Sequence, residues 1–230
     1  MMKRSTSTLR RREAAVEEKQ SLMHNVERVG DLRLTVLRHP KETLVTLKNA
    51  AVRYDERIVC RDVNLEIRRG DRVALAGPNG CGKSSILKAL CGQGSALEGD
   101  VRLASGVILS YVPQQTGNLQ GDLRDFIRES DVDETLFKAI LRNMDFTREL
   151  FERPLQVMSQ GQKKKLLLAR SLCTPAHLYV WDEPLNYIDV FSRLQLEALI
   201  LQFAPTLLLV EHDAMFLSRV TTREPVVLRN

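Results

Sequence analysis

The sequence predicts an α/β fold in which short apolar strands form a buried sheet and helices cover it. Three observations support this prediction. A short strand predicted at residues 71–76 leads into a glycine-rich loop, and a helical pattern begins near residue 85. Apolar runs at residues 178–181 and 207–210 each end in ionisable residues. Because ligands of open α/β sheets bind at the carboxyl ends of the strands, we expect these ionisable residues to form one site.

Length and composition limit the domain organisation. With 230 residues, 43% of them hydrophobic, the chain suits one large domain with an appendage. Apolar runs such as residues 206–210 are far too short to cross a bilayer, and the first four residues lack the apolar stretch of a secretory signal. The four cysteines form no CxxC pair, which argues against a disulfide framework or a zinc site. We therefore expect no membrane segment and a reducing, cytoplasmic setting.

Residues 1–43 are predicted to be a basic helical linker segment. They hold ten Lys or Arg residues against six Asp or Glu residues, a net +4 of the total +5. This distribution fits attraction to nucleic acid, and it also fits a solvated helix face or a frayed tail. Apolar residues recurring every seven positions predict an amphipathic helix at about residues 9–29. Residues 31–42 contain Pro40 and are predicted to be an extended linker.

The main domain is predicted to cover residues 44–230. It begins with strands that precede those of the buried sheet. Residues 44–49 and 51–54 have a strand pattern, and residues 58–67 follow as another strand. We expect these strands to form an antiparallel sheet at the edge of the domain.

The loop at residues 77–84 carries a clear chemical signal, and we call it the phosphate loop. It reads Gly-Pro-Asn-Gly-Cys-Gly-Lys-Ser and fits the pattern G-x-x-x-x-G-K-[ST], which many unrelated nucleotidases share. Its glycines allow backbone N–H groups to turn toward phosphate oxygens, and the following helix adds partial positive charge. The predicted nucleotide-binding residues here are Gly77, Pro78, Asn79, Gly80, Cys81, Gly82, Lys83, Ser84 and Ser85.

Charge and hydrogen-bonding capacity suggest individual roles in this loop. Lys83 is expected to reach the β- and γ-phosphates as a point charge, and the Ser84 hydroxyl to bind Mg²⁺. Ser85 is expected to donate a hydrogen bond to the α-phosphate. Cys81 is interpreted as filler, because any small residue would fit at its position.

Two acidic residues follow the apolar run at residues 178–181. Asp182 is expected to hold Mg²⁺ directly or through water, and Glu183 to accept the proton of an attacking water. Adjacent acids can also be an ordinary solvated strand end, but the upstream phosphate loop favours the metal site.

The run Met158-Ser-Gln-Gly-Gln162 narrows the class of protein. A Ser-x-Gly-Gln run between a phosphate loop and an acidic strand resembles the signature sequence of ATP-binding cassette proteins. This resemblance implies an ABC-type nucleotide-binding domain with an antiparallel β subdomain and a helical signature subdomain. It also implies that the signature, which caps the next helix, faces ATP held by a second cassette. The implied signature contacts are Ser159, Gln160, Gly161 and Gln162.

The same resemblance implies ATP and Mg²⁺ as cofactors and roles for three more residues. His212 resembles the switch histidine that contacts the γ-phosphate, and Gln114 resembles the glutamine that senses Mg²⁺ and the attacking water. Tyr54 lies where the family places an aromatic ring that stacks on adenine. A tyrosine in the core of the sheet is the alternative interpretation of Tyr54.

Two departures from transporter cassettes point to one branch of the family. The chain has Ser159-Gln-Gly-Gln-Lys-Lys-Lys165 and Pro184-Leu-Asn-Tyr-Ile-Asp189, which resemble ABC-F proteins, particularly those that protect bacterial ribosomes from antibiotics. Leu185 stands where translation-factor members more often have threonine. The chain resembles the C-terminal cassette of such a protein, with residues 1–43 as the end of the inter-cassette linker.

The resemblance implies the bacterial ribosome or its RNA as a partner, together with a second cassette from a homodimer or another chain. Two other functions stay open. The chain could be the ATPase subunit of a transporter that needs a separate membrane partner, or an interaction module in which ATP only orders a surface. Glu183 and His212 argue against the module, which needs neither residue.

Overall fold

The computed structural model describes residues 32–54, 57–94 and 96–228, with only the backbone described at residues 54 and 57. The strands are β1 (Thr43–Tyr54), β2 (Arg57–Arg68), β3 (Arg72–Ala76), β4 (Ala96–Leu103), β5 (Leu109–Val112), β6 (Leu178–Asp182), β7 (Leu207–Val210) and β8 (Val226–Val227). The described α-helices are α1 (Lys83–Leu90), α2 (Leu123–Glu129), α3 (Glu134–Asn143), α4 (Gln160–Cys173), α5 (Val190–Phe203) and α6 (Ala214–Val220). Two 3₁₀ turns, Arg148–Glu152 and Leu155–Val157, precede α4. The helix predicted at residues 9–29 lies outside the described residues.

A parallel sheet of five strands forms the centre of the domain. Its spatial order is β5-β6-β7-β3-β8, and every residue of β6 and β7 is buried. The register sets Val210 level with both Leu75 and Asp182. The carboxyl ends of β3, β6 and β7 therefore lie along one edge, as the sequence predicted for an α/β fold.

Hydrophobic cores cover both faces of this sheet. Tyr179 and Trp181 of β6 pack in a core with the helices α3, α4 and α5, whereas Val180 packs in a core with α1, β1 and β2. Neighbouring residues of β7 alternate between the same two cores. A parallel strand that is covered on both faces needs an uninterrupted apolar sequence, which explains the runs that predicted β6 and β7.

The second sheet is antiparallel and has the order β2-β1-β4. The pairing of β1 with β2 confirms the predicted edge sheet. β4 was not predicted, because most of its residues are exposed or partly exposed and it contains Gly99. Gly99 has a φ of 100°, and a Cβ atom there would lie 2.9 Å from the backbone oxygen of Asn49. The close approach of β1 thus requires glycine at this position.

Residues 32–42, which we call the strap, contain no helix and lie against the domain. Val36 forms a parallel bridge with Ala176, two residues before β6. The buried His39 places its ring edge-on to His177, with ring centroids 5.0 Å apart, and its Nε2 lies 3.1 Å from the Ser105 oxygen. The strap is therefore attached where the chain enters β6. The domain boundary at residues 43–44 stays a prediction.

None of the helices in the described parts of the chain is long and apolar enough to cross a membrane.

A trio of buried polar side chains joins β5, α4 and β6. The indole Nε1 of Trp181 donates to the Ser171 hydroxyl over 2.9 Å, and the Ser110 and Ser171 hydroxyl oxygens are 2.7 Å apart. All three side chains are buried, so these bonds replace water for groups that would otherwise lack a partner.

We expect Ser171→Ala to lower the free energy of unfolding by about 1–3 kcal/mol, because it leaves the Trp181 N–H unsatisfied inside the core. Urea unfolding followed by circular dichroism measures the change. Ser218→Ala removes an exposed hydroxyl from α6 and serves as the control, with an expected change below about 0.5 kcal/mol. Equal changes in the two variants would contradict a structural role for the trio.

Candidate functional site

The phosphate loop joins β3 to α1 and packs tightly against the domain. Gly77 has a φ of 142° and Gly82 a φ of 94°. A Cβ atom at Gly77 would lie 2.8 Å from the Leu228 backbone oxygen, and one at Gly82 would lie 2.7 Å from Cys60 Cβ. Side chains at these two positions would therefore collide with the loop's surroundings. The Cys81 thiol is buried beside Gly77 and faces the interior, which fits its interpretation as filler.

Lys83 closes over its own loop. Its Nζ donates to the backbone oxygens of Gly77 over 2.9 Å and Pro78 over 3.0 Å, and only 7% of the residue is exposed. No carboxylate among the described residues forms an ion pair with it. An ammonium group that is nearly buried without a counter-ion is suited to bind an anion at the mouth of the loop.

Ser84 and Asp182 meet where α1 approaches the end of β6. The Ser84 hydroxyl donates to Asp182 Oδ1 over 3.0 Å. Asp182 is fully buried, and its Oδ2 atom has no hydrogen-bond partner in the described chain. Burial raises the pKa of Asp182. A hydroxyl and an unpartnered carboxylate oxygen are hard oxygen donors, so these two side chains fit a Mg²⁺ ion.

Glu183 lies beside this pair in a left-handed backbone conformation, with a φ of 48°. Its carboxylate accepts hydrogen bonds from the side chains of Gln114 and Asn186, and its Oε1 lies 3.6 Å from His212 Nε2. Burial alone would raise the pKa of Glu183, but these hydrogen bonds and the nearby His212 and Lys164 side chains hold the pKa below its ordinary value. Glu183 is therefore ionised at neutral pH and can accept a proton.

Glu211 was not predicted, although it holds two loops of the site together. Its Oε2 accepts a hydrogen bond from the Leu185 backbone N–H over 3.1 Å, and its Oε1 accepts one from the His212 N–H over 2.7 Å. It links the loop after β7 to the loop after β6. The sequence carried a signal for it, because Glu211 follows an apolar strand just as Glu183 does.

The signature residues surround the start of α4. Ser159 and Gln162 form a capping box, in which Ser159 Oγ accepts from the Gln162 N–H and Gln162 Oε1 accepts from the Ser159 N–H. A Cβ atom at Gly161 would lie 2.4 Å from the Tyr187 backbone oxygen, so glycine lets the helix touch the loop after β6. Gln160 accepts a hydrogen bond from the Thr116 hydroxyl.

These contacts separate the predicted residues into two groups. Lys83, Ser84, Gln114, Asp182, Glu183 and His212 lie around the carboxyl ends of the strands. Among the described residues, no hydrogen bond joins the signature to the phosphate loop. A cleft of about 460 Å³ lies beside the signature, and residues from both groups, Gln114 and Gln160, line it.

A larger groove of about 850 Å³ begins at the phosphate loop. It is lined at one end by Asn79 and Gly80 and continues between β2 and residues 226–228. Its volume suits a small-molecule ligand. Ser85 lies in the first turn of α1, directly after Ser84. The side chain of Tyr54 lies outside the described part of the chain, so its stacking role stays a prediction.

Comparison with known proteins finds many relatives. Residues 60–186 match the family described as ABC transporter. The chain is 32% identical over 188 residues to ABC transporter F family member 2 of Arabidopsis thaliana, which covers 79% of this chain and 28% of the relative. It is 33% identical over 190 residues to Ribosome protection protein VmlR of Bacillus subtilis (strain 168), covering 80% of this chain and 34% of the relative.

Solved structures give the same fold. One similar chain comes from the crystal structure of the complex of archaeal ribosomal stalk protein aP1 and archaeal ribosome recycling factor aABCE1. It aligns with a TM-score of 0.68 and 25% sequence identity over 84% of this chain and 38% of that chain. Compared with the two curated relatives named above, the chain spans only about a third or less of their length.

The raised pKa of Asp182 has a measurable consequence for stability. Between the ordinary pKa of the unfolded chain and the higher pKa of the folded chain, the folded state binds the extra proton. The stability contribution of this group therefore falls as the pH rises through that window. We expect Asp182→Asn to melt about 2 °C or more above the wild type at pH 7 without nucleotide. It should also lose the stabilisation that Mg-ATP gives the wild type.

Differential scanning fluorimetry at several pH values, with and without Mg-ATP, measures both effects. Asp100→Asn changes a partly exposed carboxylate in β4 and is the matched control, for which neither effect is expected. An Asp182→Asn chain that melts lower at pH 7 and is still stabilised by Mg-ATP would contradict the metal-site assignment.

Proposed function

The chain belongs to the ABC transporter family, and we propose that it is the ATP-hydrolysing cassette of an ABC-F-type protein that acts on the bacterial ribosome. Membership of the family makes the chain an ATP-binding ATPase. Two kinds of observation support the finer assignment. The relatives include an F family member and a ribosome protection protein, and the signature and the loop at residues 184–189 have ABC-F features.

The arrangement of Ser84, Asp182 and Glu183 at the end of β6 is the observation that carries the hydrolytic mechanism. Lys83 and the glycine backbone of the phosphate loop bind the phosphates. Ser84 and Asp182 hold Mg²⁺, which supplies positive charge to the phosphate oxygens when bound. Glu183 takes a proton from the attacking water at its carboxylate, and Gln114, bonded to Glu183, orients that water.

His212 completes the mechanism at the γ-phosphate. Its Nε2 is 3.6 Å from Glu183 Oε1, and 57% of its side chain is exposed, so the ring is accessible to a phosphate outside the loop. The Glu211 carboxylate holds the His212 backbone N–H and thereby fixes the position from which the ring approaches. A donor at this place stabilises charge that develops on the γ-phosphate oxygens during transfer.

We further propose that hydrolysis requires a second cassette. The signature makes no hydrogen bond to the phosphate loop in the described residues, so the anion-binding end of α4 is available to ATP on another cassette. The neighbouring apolar side chains support a partner surface. Tyr187, which lies against Gly161 in the loop after β6, is 68% exposed, and Val190, the first residue of α5, is 73% exposed. A homodimer and a separate chain both satisfy this requirement.

The ribosome is proposed as the partner from the relatives' names and from charge. VmlR is named a ribosome protection protein, and the structural neighbour comes from a complex with a ribosome recycling factor. Residues 1–43 contribute +4 of the net charge, which would favour contact with ribosomal RNA. The most specific version of this proposal is that the protein protects the ribosome from antibiotics. It rests on the resemblance of residues 159–165 and 184–189 to ABC-F proteins that have this role.

We expect Glu183→Gln to lower the rate of ATP hydrolysis about 100-fold or more, because an amide cannot accept the proton of the attacking water. The same variant should retain ATP and shift from one chain to two when Mg-ATP is added. Phosphate release and multi-angle light scattering measure the two effects.

Glu129→Gln makes the same change at an exposed position in α2 and should behave like the wild type. Unchanged turnover in Glu183→Gln would contradict its role as the base. A chain that stays monomeric with Mg-ATP would contradict the homodimer and leave a separate second cassette as the partner.

Binding to ribosomes through the basic segment should depend strongly on salt. We expect Glu183→Gln with Mg-ATP to lose at least tenfold in affinity for 70S ribosomes between about 50 and about 200 mM KCl, because bound cations are released from RNA phosphates. Replacing Arg10, Arg11 and Arg12 by Gln should weaken binding and flatten this dependence.

Ribosome sedimentation at several salt concentrations measures the affinity. The matched control replaces three exposed arginines of the main domain, Arg102, Arg128 and Arg148, by Gln. A flat salt response in the parent chain, or equal effects of the two triple variants, would contradict electrostatic contact through the first 43 residues.

A further inference from the structure

Lys164 is a fully buried cation whose position the mechanism above leaves unexplained. It lies on α4 with no exposed surface. Its Nζ donates to the backbone oxygens of Pro113 over 2.8 Å, Gln114 over 3.2 Å and Asp182 over 3.1 Å. An ammonium group has three donors, and three carbonyl oxygens satisfy them here. One side chain therefore joins α4, the segment after β5 and the end of β6.

The electrostatic surroundings of Lys164 are acidic. The carboxylates of Asp182, Glu183 and Glu211 all favour its charged form. Burial opposes them and lowers the pKa of Lys164 to about 8. The ammonium thus supplies positive charge beneath the acidic residues of the site, and it does so from a helix that belongs to a different part of the domain.

The lysines on either side of Lys164 contact other places. Lys163 Nζ lies 3.4 Å from the Gln156 backbone oxygen. Lys165 Nζ donates to the Met144 backbone oxygen over 2.7 Å and lies 2.7 Å from Asp189 Oδ2. Among the described residues, neither neighbour forms a hydrogen bond with Gln114 or Asp182. Lys163 therefore offers a matched position for the same substitution on the same helix.

Lys164 lies close to the signature residues on the same helix, α4. The capping residue Ser159 is five residues upstream, about 7.5 Å along a helix with a rise of about 1.5 Å per residue. A shift of the signature end therefore moves the anchor of Gln114 and Asp182 as well. The helix and its bonded ammonium form one short, direct connection between the signature and the chain's own catalytic groups.

We propose that Lys164 is a positioning residue that holds Gln114 and Asp182 in register with the signature helix, so that the reacting groups are aligned only when α4 is in place. This inference rests on the proposed function, because Gln114 and Asp182 are assigned there. A lysine that served only to stabilise the fold would affect the entire domain when replaced. A positioning residue acts on the two segments that it binds, after β5 and at the end of β6, and on the rate of the chemical step.

The first experiment uses hydrogen exchange on the full, nucleotide-free chain and needs no hydrolysis. In Lys164→Met, we expect the amide of Glu183, which donates to the Val210 backbone oxygen over 2.9 Å, to exchange about tenfold faster, while amides of β1 exchange at the wild-type rate. Lys163→Met should leave both rates unchanged. Equal acceleration in β1 and at Glu183, or none at Glu183, would overturn the proposal. Hydrogen exchange does not depend on ATP turnover. It therefore tests the role of Lys164 even if the proposed hydrolytic function is wrong.

The second experiment separates binding from chemistry. Lys164→Met should lower kcat about 30-fold or more and change KM for ATP less than about threefold, because the hydrogen bonds of Lys164 go to Pro113, Gln114 and Asp182 and not to the phosphate loop. Lys164→Arg, which keeps charge and donors, should recover part of kcat. A raised KM with unchanged kcat, or no difference between the Met and Arg variants, would overturn the proposal. If Lys164→Met loses the fold by circular dichroism, Lys164→Gln, which keeps an amide donor, is measured in the same two ways.

Discussion

A carboxylate that is buried away from water must be compensated by cations or donors, and this domain is arranged around such a group at Asp182. Strand β6 is covered on both faces, so its last residue has little access to solvent. The Ser84 hydroxyl satisfies one carboxylate oxygen, and the other is unpartnered. Burial raises the pKa of Asp182, because it disfavours the charged form of the carboxylate. A bound cation relieves that cost, which links metal binding to the stability of the sheet edge.

The strands beside Asp182 could be predicted because burial on both faces requires a recognisable apolar sequence. β6 and β7 are buried on both faces and therefore have continuous apolar runs, whereas β4 lies at the edge of the second sheet with mostly exposed residues. Gly99 further weakens its pattern, because the reason for that glycine is the distant backbone of Asn49. Strand order is also absent from local patterns, since β3 pairs with β7 and β8 rather than with β5.

The site was predictable where a local motif carries the chemistry and not where distant chain segments do. Phosphate-loop residues follow a fixed spacing, and Asp182 and Glu183 follow an apolar strand. Lys164 stands in a run of three lysines, which usually indicates a solvated surface. Its burial depends on the backbone oxygens of residues 113 and 114, about fifty positions away in the chain. Only the folded arrangement reveals that contact.

The attachment of the strap determines where any preceding segment joins the domain. Val36 pairs in parallel with Ala176, just before β6, and Asp182 is at the opposite end of that strand. Five residues of strand span about 17 Å, so the attachment and the acidic end occupy opposite rims of the sheet. The full length of one buried strand thus separates the strap from the acidic end of β6. A ligand bound at the acidic end is therefore out of direct reach of the strap.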